Sequence, residues 1–176
     1  MKPDWNIETA ISLYNIDRWS TGYFTINEQG NVAVLPTRDP AVSVDIMEVI
    51  EDAQDRGLTF PLVLRFQDLL RNRVETINHA FQSAIKEFKY SNVYRGVFPI
   101  KVNQLREVVE EIVEAGKPYH FGIEAGSKPE LLAALAINQD PESVIICNGY
   151  KDGQFIQNAL LGNKLGRRVI MVVEKL

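Results

Sequence analysis

The feature that most constrains this chain is a regular alternation over its second half. Val93 to Ile100, Tyr119 to Ile123, Ser143 to Cys147 and Val169 to Val173 are apolar runs of strand length. Between them lie three helical patterns. Leu105, Val108, Val109, Ile112 and Val113 mark one helix face. Ser127-Lys128-Pro129-Glu130 fits a capping box that opens a helix through Leu131, Leu132 and Leu135. Gly153 to Leu165 is a third helix, ended by Gly166. The order β-α-β-α-β-α-β with short connections implies parallel strands joined by right-handed crossovers. Strands rich in Val and Ile in such a sheet expect cover on both faces, from helices or from closure into a barrel. The series stops on a strand, which leaves an edge. The expected fold is therefore α/β, a partial (β/α)8 TIM-type barrel comprising its first four parallel strands.

Upstream the pattern changes. Tyr23 to Ile26 and Asn31 to Leu35 flank Asn27-Glu28-Gln29-Gly30 and read as a hairpin. Pro36 and Pro40 end it, and Val44 to Ala53 reads as a short helix. Residues 61–66 read as a strand. Leu70, Val74, Ile77, Phe81, Ile85 and Phe88 then follow at helical spacing. The expected division is 1–60, a hairpin and helix segment, and 61–176, an incomplete barrel.

Bulk properties narrow the functional classes. The chain has 176 residues, a net charge of −4 and no Lys/Arg cluster, which argues against nucleic acid as a partner. No apolar run approaches a membrane span. Met1 to Leu13 carries Asp4 and Glu8 and no apolar core, unlike a secretory signal. The single cysteine, Cys147, has no internal disulfide partner, and a reducing, cytoplasmic setting is expected.

Candidate chemistry gathers at strand ends, where parallel α/β folds build sites. Lys101 follows the first strand of the series. A lysine emerging from apolar surroundings is expected to be partly desolvated and available for Schiff-base formation, but a solvated surface charge is the alternative. Glu124 ends the second strand. It is suited to hold a cofactor's ring nitrogen protonated, or else to serve as a first-turn acid of the following helix. Asn148, Gly149, Tyr150 and Lys151 end the third strand, and Glu174 and Lys175 the fourth. Residues 122–128 contain G-x-x-x-G-S-K, which has neither the spacing nor the order of a phosphate-binding P-loop. His79 and His120 lack metal-ligand spacing and read as structural, and Cys147 reads as a packing thiol.

Three long segments in register make the reading specific. Gly96-Val97-Phe98-Pro99-Ile100-Lys101-Val102-Asn103-Gln104 resembles the cofactor-lysine segment of the biosynthetic arginine decarboxylases, with Phe98 where that family is expected to have Tyr. The run from Gly122 to Leu135 and the run from Ile145 to Asp152 resemble later segments of the same family, as do Trp19 to Phe24 and Leu64 to Phe66. The resemblance covers nearly the whole chain. It implies a pyridoxal-phosphate enzyme with an alanine-racemase-like barrel and an added β domain, to which residues 1–60 would belong. It implies Lys101 as the catalytic and cofactor-binding lysine, with Glu124 and Asn148 as further cofactor-binding residues. It also implies magnesium as a second cofactor, decarboxylation of L-arginine to agmatine within polyamine and spermidine biosynthesis, and homo-oligomers.

Members of that family are several times longer than this chain. The expectation is therefore an amino-terminal portion that is inactive alone, lacking the phosphate-binding loop and the residues that read the guanidinium. Two other readings remain. One is a decarboxylase of the same fold acting on another basic amino acid or a carboxylated polyamine. The other is a non-catalytic remnant that associates with a full-length paralogue.

Overall fold

The structure is a computed structural model and describes residues 5–174; the others, among them Asp4 and Lys175, lie outside the described residues. It divides into two compact units, one up to Asn72 and one from Arg73 onward.

In the first unit, α1 (Ile7–Leu13) and α2 (Ile16–Trp19) precede a three-stranded antiparallel sheet of β1 (Phe24–Ile26), β2 (Val32–Val34) and β3 (Val44–Asp45). The expected hairpin forms with Phe24 opposite Val34 and Ile26 opposite Val32. Its turn is built by Asn27, whose Oδ1 accepts from the N–H groups of Gln29 (3.1 Å) and Asn31 (2.9 Å). The helix expected from Val44 begins later, as α3 (Ile46–Asp55), because Val44 and Asp45 pair with Val34 and Ala33 instead. Asp45 decides that boundary. Its carboxylate accepts from Asn27 and Asn31 across the turn and from Met47 N–H as the cap of α3.

The helix α4 (Gln67–Glu87) spans the boundary between the units. The expected strand at 61–66 is absent: those residues join no ladder among the described residues. Composition marks an extended segment, but only a neighbour makes a strand. The apolar stripe of α4 located the helix without locating a core. Val74 is buried, whereas Phe81 is 46% and Phe88 77% exposed, and the Phe81 ring stacks on Tyr94 at 3.7 Å.

From residue 97 the alternation holds as expected. The strands β4 (Val97–Pro99), β5 (Gly122–Ala125), β6 (Val144–Cys147) and β7 (Arg168–Met171) form a parallel sheet in sequential order. Helices α5 (Arg106–Gly116), α6 (Lys128–Ile137) and α7 (Gly153–Lys164) connect them. The first strand is shorter than its apolar run. Proline has no N–H to extend a ladder, so pairing ends at Pro99 and a 3-10 turn, Ile100–Val102, follows. The second strand starts at Gly122 because His120 sits in the left-handed region (φ 52°).

One core cluster runs through Ile100, Val109, Ile123, Ala125, Leu131, Ala134, Ile145, Cys147, Phe155, Ala159 and Val169. Alternation along the strands places Ile123, Ile145 and Val169 in it. Their neighbours Glu124, Ile146 and Ile170 are in register on the other face, where Ile170 is 48% exposed. Gly122 permits the close approach of β5 to β6, since a Cβ there would lie 2.0 Å from the Val144 carbonyl oxygen. Gly122→Ala is expected to destabilise the chain by about 2 kcal/mol or more in urea unfolding. Gly153→Ala, whose Cβ would meet nothing within 4 Å, is expected to be neutral or stabilising.

Candidate active site

The carboxyl ends of β4, β5 and β6 open on a cavity of about 550 Å³ lined by Lys101, Glu124, Gly126, Ser127, Glu130, Asn148, Gly149 and Glu174. The structure thus brings together all three residues singled out from the sequence. Register is the reason. Pro99 pairs with Glu124, and Ala125 pairs with Cys147, so the residues just beyond each strand reach one rim.

Glu124 is the buried member, 6% exposed, and its Oε2 has no hydrogen-bond partner among the described residues. It belongs to β5 and not to a helix first turn, which removes that alternative. An unmatched buried polar atom costs about 1–3 kcal/mol, more when charged, so this oxygen calls for a donor. Lys101 corrects an expectation. It is exposed, because the 3-10 turn tucks Ile100 inward (3% exposed) and turns Lys101 out.

The capping box at α6 forms with a shift. Ser127 Oγ accepts from Glu130 N–H at 3.5 Å, while Glu130 Oε2 accepts from Gly126 N–H at 2.7 Å instead of from Ser127. Glu130 Oε1 also accepts from Gln104 Nε2 at 3.3 Å, tying the segment after Lys101 to α6. The sequence marked Glu130 only as a cap, and its place in the cavity depends on this shift. Gly149 N–H donates to Glu174 Oε1 at 3.0 Å. Two backbone donors at the rim therefore face carboxylates, and the described lining offers no cluster of free N–H groups for a phosphate. Gly149 is required where it stands: its φ is 74°, and a Cβ would lie 2.8 Å from the Gly126 carbonyl oxygen.

The histidines and the cysteine lie outside the cavity lining. His79 Nε2 lies 3.0 Å from the Tyr119 hydroxyl, and His120 Nδ1 pairs with Asp140 at 2.8 Å. Cys147 is fully buried, and burial pushes its thiol up from 9.0 to about 11. Among the described residues no group of three or more His, Cys, Asp or Glu side chains converges as metal ligands. No helix among them is long and apolar enough to cross a membrane.

A lysine, a buried carboxylate with one unmatched oxygen and an amide, set at adjacent ends of parallel strands, fit a ring cofactor with an aldehyde and a basic nitrogen. Residues 74–175 match the family model described as pyridoxal-dependent decarboxylase, pyridoxal binding domain, and the chain belongs to that family. Its relatives are narrower in kind. It is 48% identical over 172 residues to the biosynthetic arginine decarboxylase of Gloeobacter violaceus and 49% identical over 172 residues to that of Bacteroides thetaiotaomicron. Each match covers 98% of this chain and 27% of the relative. The crystal structure of the biosynthetic arginine decarboxylase SpeA from Campylobacter jejuni superposes with a TM-score of 0.82 at 34% identity, covering 92% of this chain and 26% of that one. The chain thus spans about a quarter of the length of the relatives it matches.

The thiol gives a direct test of the buried strand. In the folded chain Cys147 is expected to resist a thiol reagent at pH 8 and to react at once in denaturant. Because its folded value is raised, any stability it lends is present below 9.0 and is lost as pH rises through about 11. Rapid modification without unfolding would contradict the burial.

Proposed function

We propose that this cavity is part of the pyridoxal-phosphate site of an enzyme that decarboxylates L-arginine to agmatine, a step toward polyamines. The observation that carries the reading is the unmatched Oε2 of buried Glu124 in a cavity shared with Lys101. When bound, pyridoxal phosphate supplies an electron sink for the pair left behind as carbon dioxide departs. Lys101, exposed at the rim, would hold the cofactor through its primary amine. Glu124 would serve as the anionic partner of the ring nitrogen and keep its proton in place. Asn148 also lines the cavity, and its amide would help to orient the ring.

The described lining lacks a phosphate cradle, and on that ground the 176-residue chain by itself is expected to hold the cofactor weakly and to leave arginine intact. Residues 1–60 are assigned to a β domain and 61–176 to the barrel, with homo-oligomers in a cytoplasmic setting. Arginine is favoured over other basic amino acids by the relatives' names.

A second donor for Glu124 has its own support. Lys101 is the cationic side chain among the residues lining the cavity, two positions beyond the ladder partner of Glu124. If its ammonium neutralises Glu124 when no cofactor is bound, Lys101→Ala destabilises the cofactor-free chain by about 1–3 kcal/mol. An unchanged urea midpoint leaves the ring nitrogen as the partner.

The functional test is release of labelled carbon dioxide from carboxyl-labelled arginine, ornithine, lysine and diaminopimelate by the natural gene product carrying these residues. Arginine is expected to be the substrate, and Glu124→Gln is expected to retain cofactor while losing roughly 100-fold or more in kcat, the scale of a removed electrostatic partner. Turnover of another amino acid in place of arginine would replace the substrate assignment. Full activity in Glu124→Gln would remove Glu124 from the site.

A further inference from the structure

Lys128 has no part in the chemistry above, yet it occupies a costly place. It is the first residue of α6, and its ammonium reaches the start of α7. Both helix N-termini carry positive partial charge, so a cation there is disfavoured unless an anion answers it. The answer is Asp152. Lys128 Nζ donates to Asp152 Oδ2 at 2.7 Å and to Gln154 Oε1 at 3.1 Å. Asp152 divides its carboxylate: Oδ1 caps α7 by accepting from Phe155 N–H at 2.9 Å, and Oδ2 binds Lys128.

The pair is too exposed, at 38% and 44%, to contribute much stability. Its position is more telling. The loops ahead of the two helices supply Gly126, Ser127, Asn148 and Gly149 to the cavity wall. They already meet where Asn148 N–H donates to the Ala125 carbonyl at 2.9 Å and where Gly149 packs against Gly126. The ion pair fastens them a second time, on the far side of Tyr150, which is 91% exposed. A loop held at both ends cannot swing Asn148 away from Lys101 and Glu124.

We propose that Lys128 and Asp152 form a positioning brace that fixes the β6–α7 loop against the β5–α6 loop and so sets the width of the cavity. This rests on reading the cavity as the cofactor site, but its test needs no cofactor. Backbone amide exchange of the 176-residue chain is compared for wild type, Lys128→Met, Lys128→Arg and Asp152→Asn. Asparagine keeps the cap acceptor, so Asp152→Asn removes the charge while leaving α7 capped.

In Lys128→Met and Asp152→Asn, exchange at Asn148 and Gly149 is expected to quicken about two- to fivefold, the scale of an exposed ion pair. Phe155 in Asp152→Asn and the core amides of Ile145 and Val109 should keep wild-type protection. Lys128→Arg should restore most of the protection, and the double variant should match the single ones. Unchanged exchange at Asn148 and Gly149 would overturn the brace. Equal acceleration through β5 and β6 would overturn it too, by showing a general stabilising role. If the pattern appears but the natural gene product carrying these residues does not bind pyridoxal phosphate, the brace stands and the cofactor reading falls.

Discussion

The site depends on a carboxylate kept out of water. Glu124 lies in β5 between β4 and β6, paired to Pro99 on one side and to Ile146 on the other, and is 6% exposed. A charged group is left in such a place only when something offsets its desolvation. Oε2 has no partner among the described residues, and Glu124 lines a cavity that also holds a lysine. The parallel register, the helices that cover one face of the sheet and the glycine that lets β5 approach β6 all serve to hold Glu124 at the wall of that cavity.

The loops around it are fixed by backbone geometry more than by side-chain bulk. Pro99 stops one ladder and starts the turn that presents Lys101. Gly149 accepts a left-handed conformation in contact with Gly126, and Glu130 leaves its usual capping partner to hold the Gly126 amide. These choices put small residues and carboxylates on the rim and leave Lys101 as its cation. A cavity of this character suits the cationic and ring portions of a pyridoxal-dependent decarboxylase site, whose phosphate must be held by other residues.

Much of this was legible in the sequence. Alternating strand and helix patterns located β4 to β7 and α5 to α7 within a few residues, because parallel strands and amphipathic helices have distinct periods. Lys101, Glu124 and Asn148, which line one cavity, could be singled out because each follows or ends an apolar run and falls in a recognisable segment. What periodicity could not supply was partnership. Residues 61–66 look like a strand but pair with nothing, while Val44 and Asp45 look helical but pair with β2. The stripe on α4 promised a buried face, yet Phe81 and Phe88 are exposed. The exposure of Lys101 depended on a 3-10 turn that no spacing signals, and the cavity role of Glu130 on a one-residue shift in a capping box.

The most direct test of the central claim is covalent trapping. The chain is incubated with excess pyridoxal phosphate, reduced with borohydride and digested, and the modified peptide is identified by mass. The account requires the phosphopyridoxyl group on Lys101, with trapping lost in Lys101→Ala. Modification of Lys128 or Lys151 in its place, or equal labelling of all surface lysines, would contradict it.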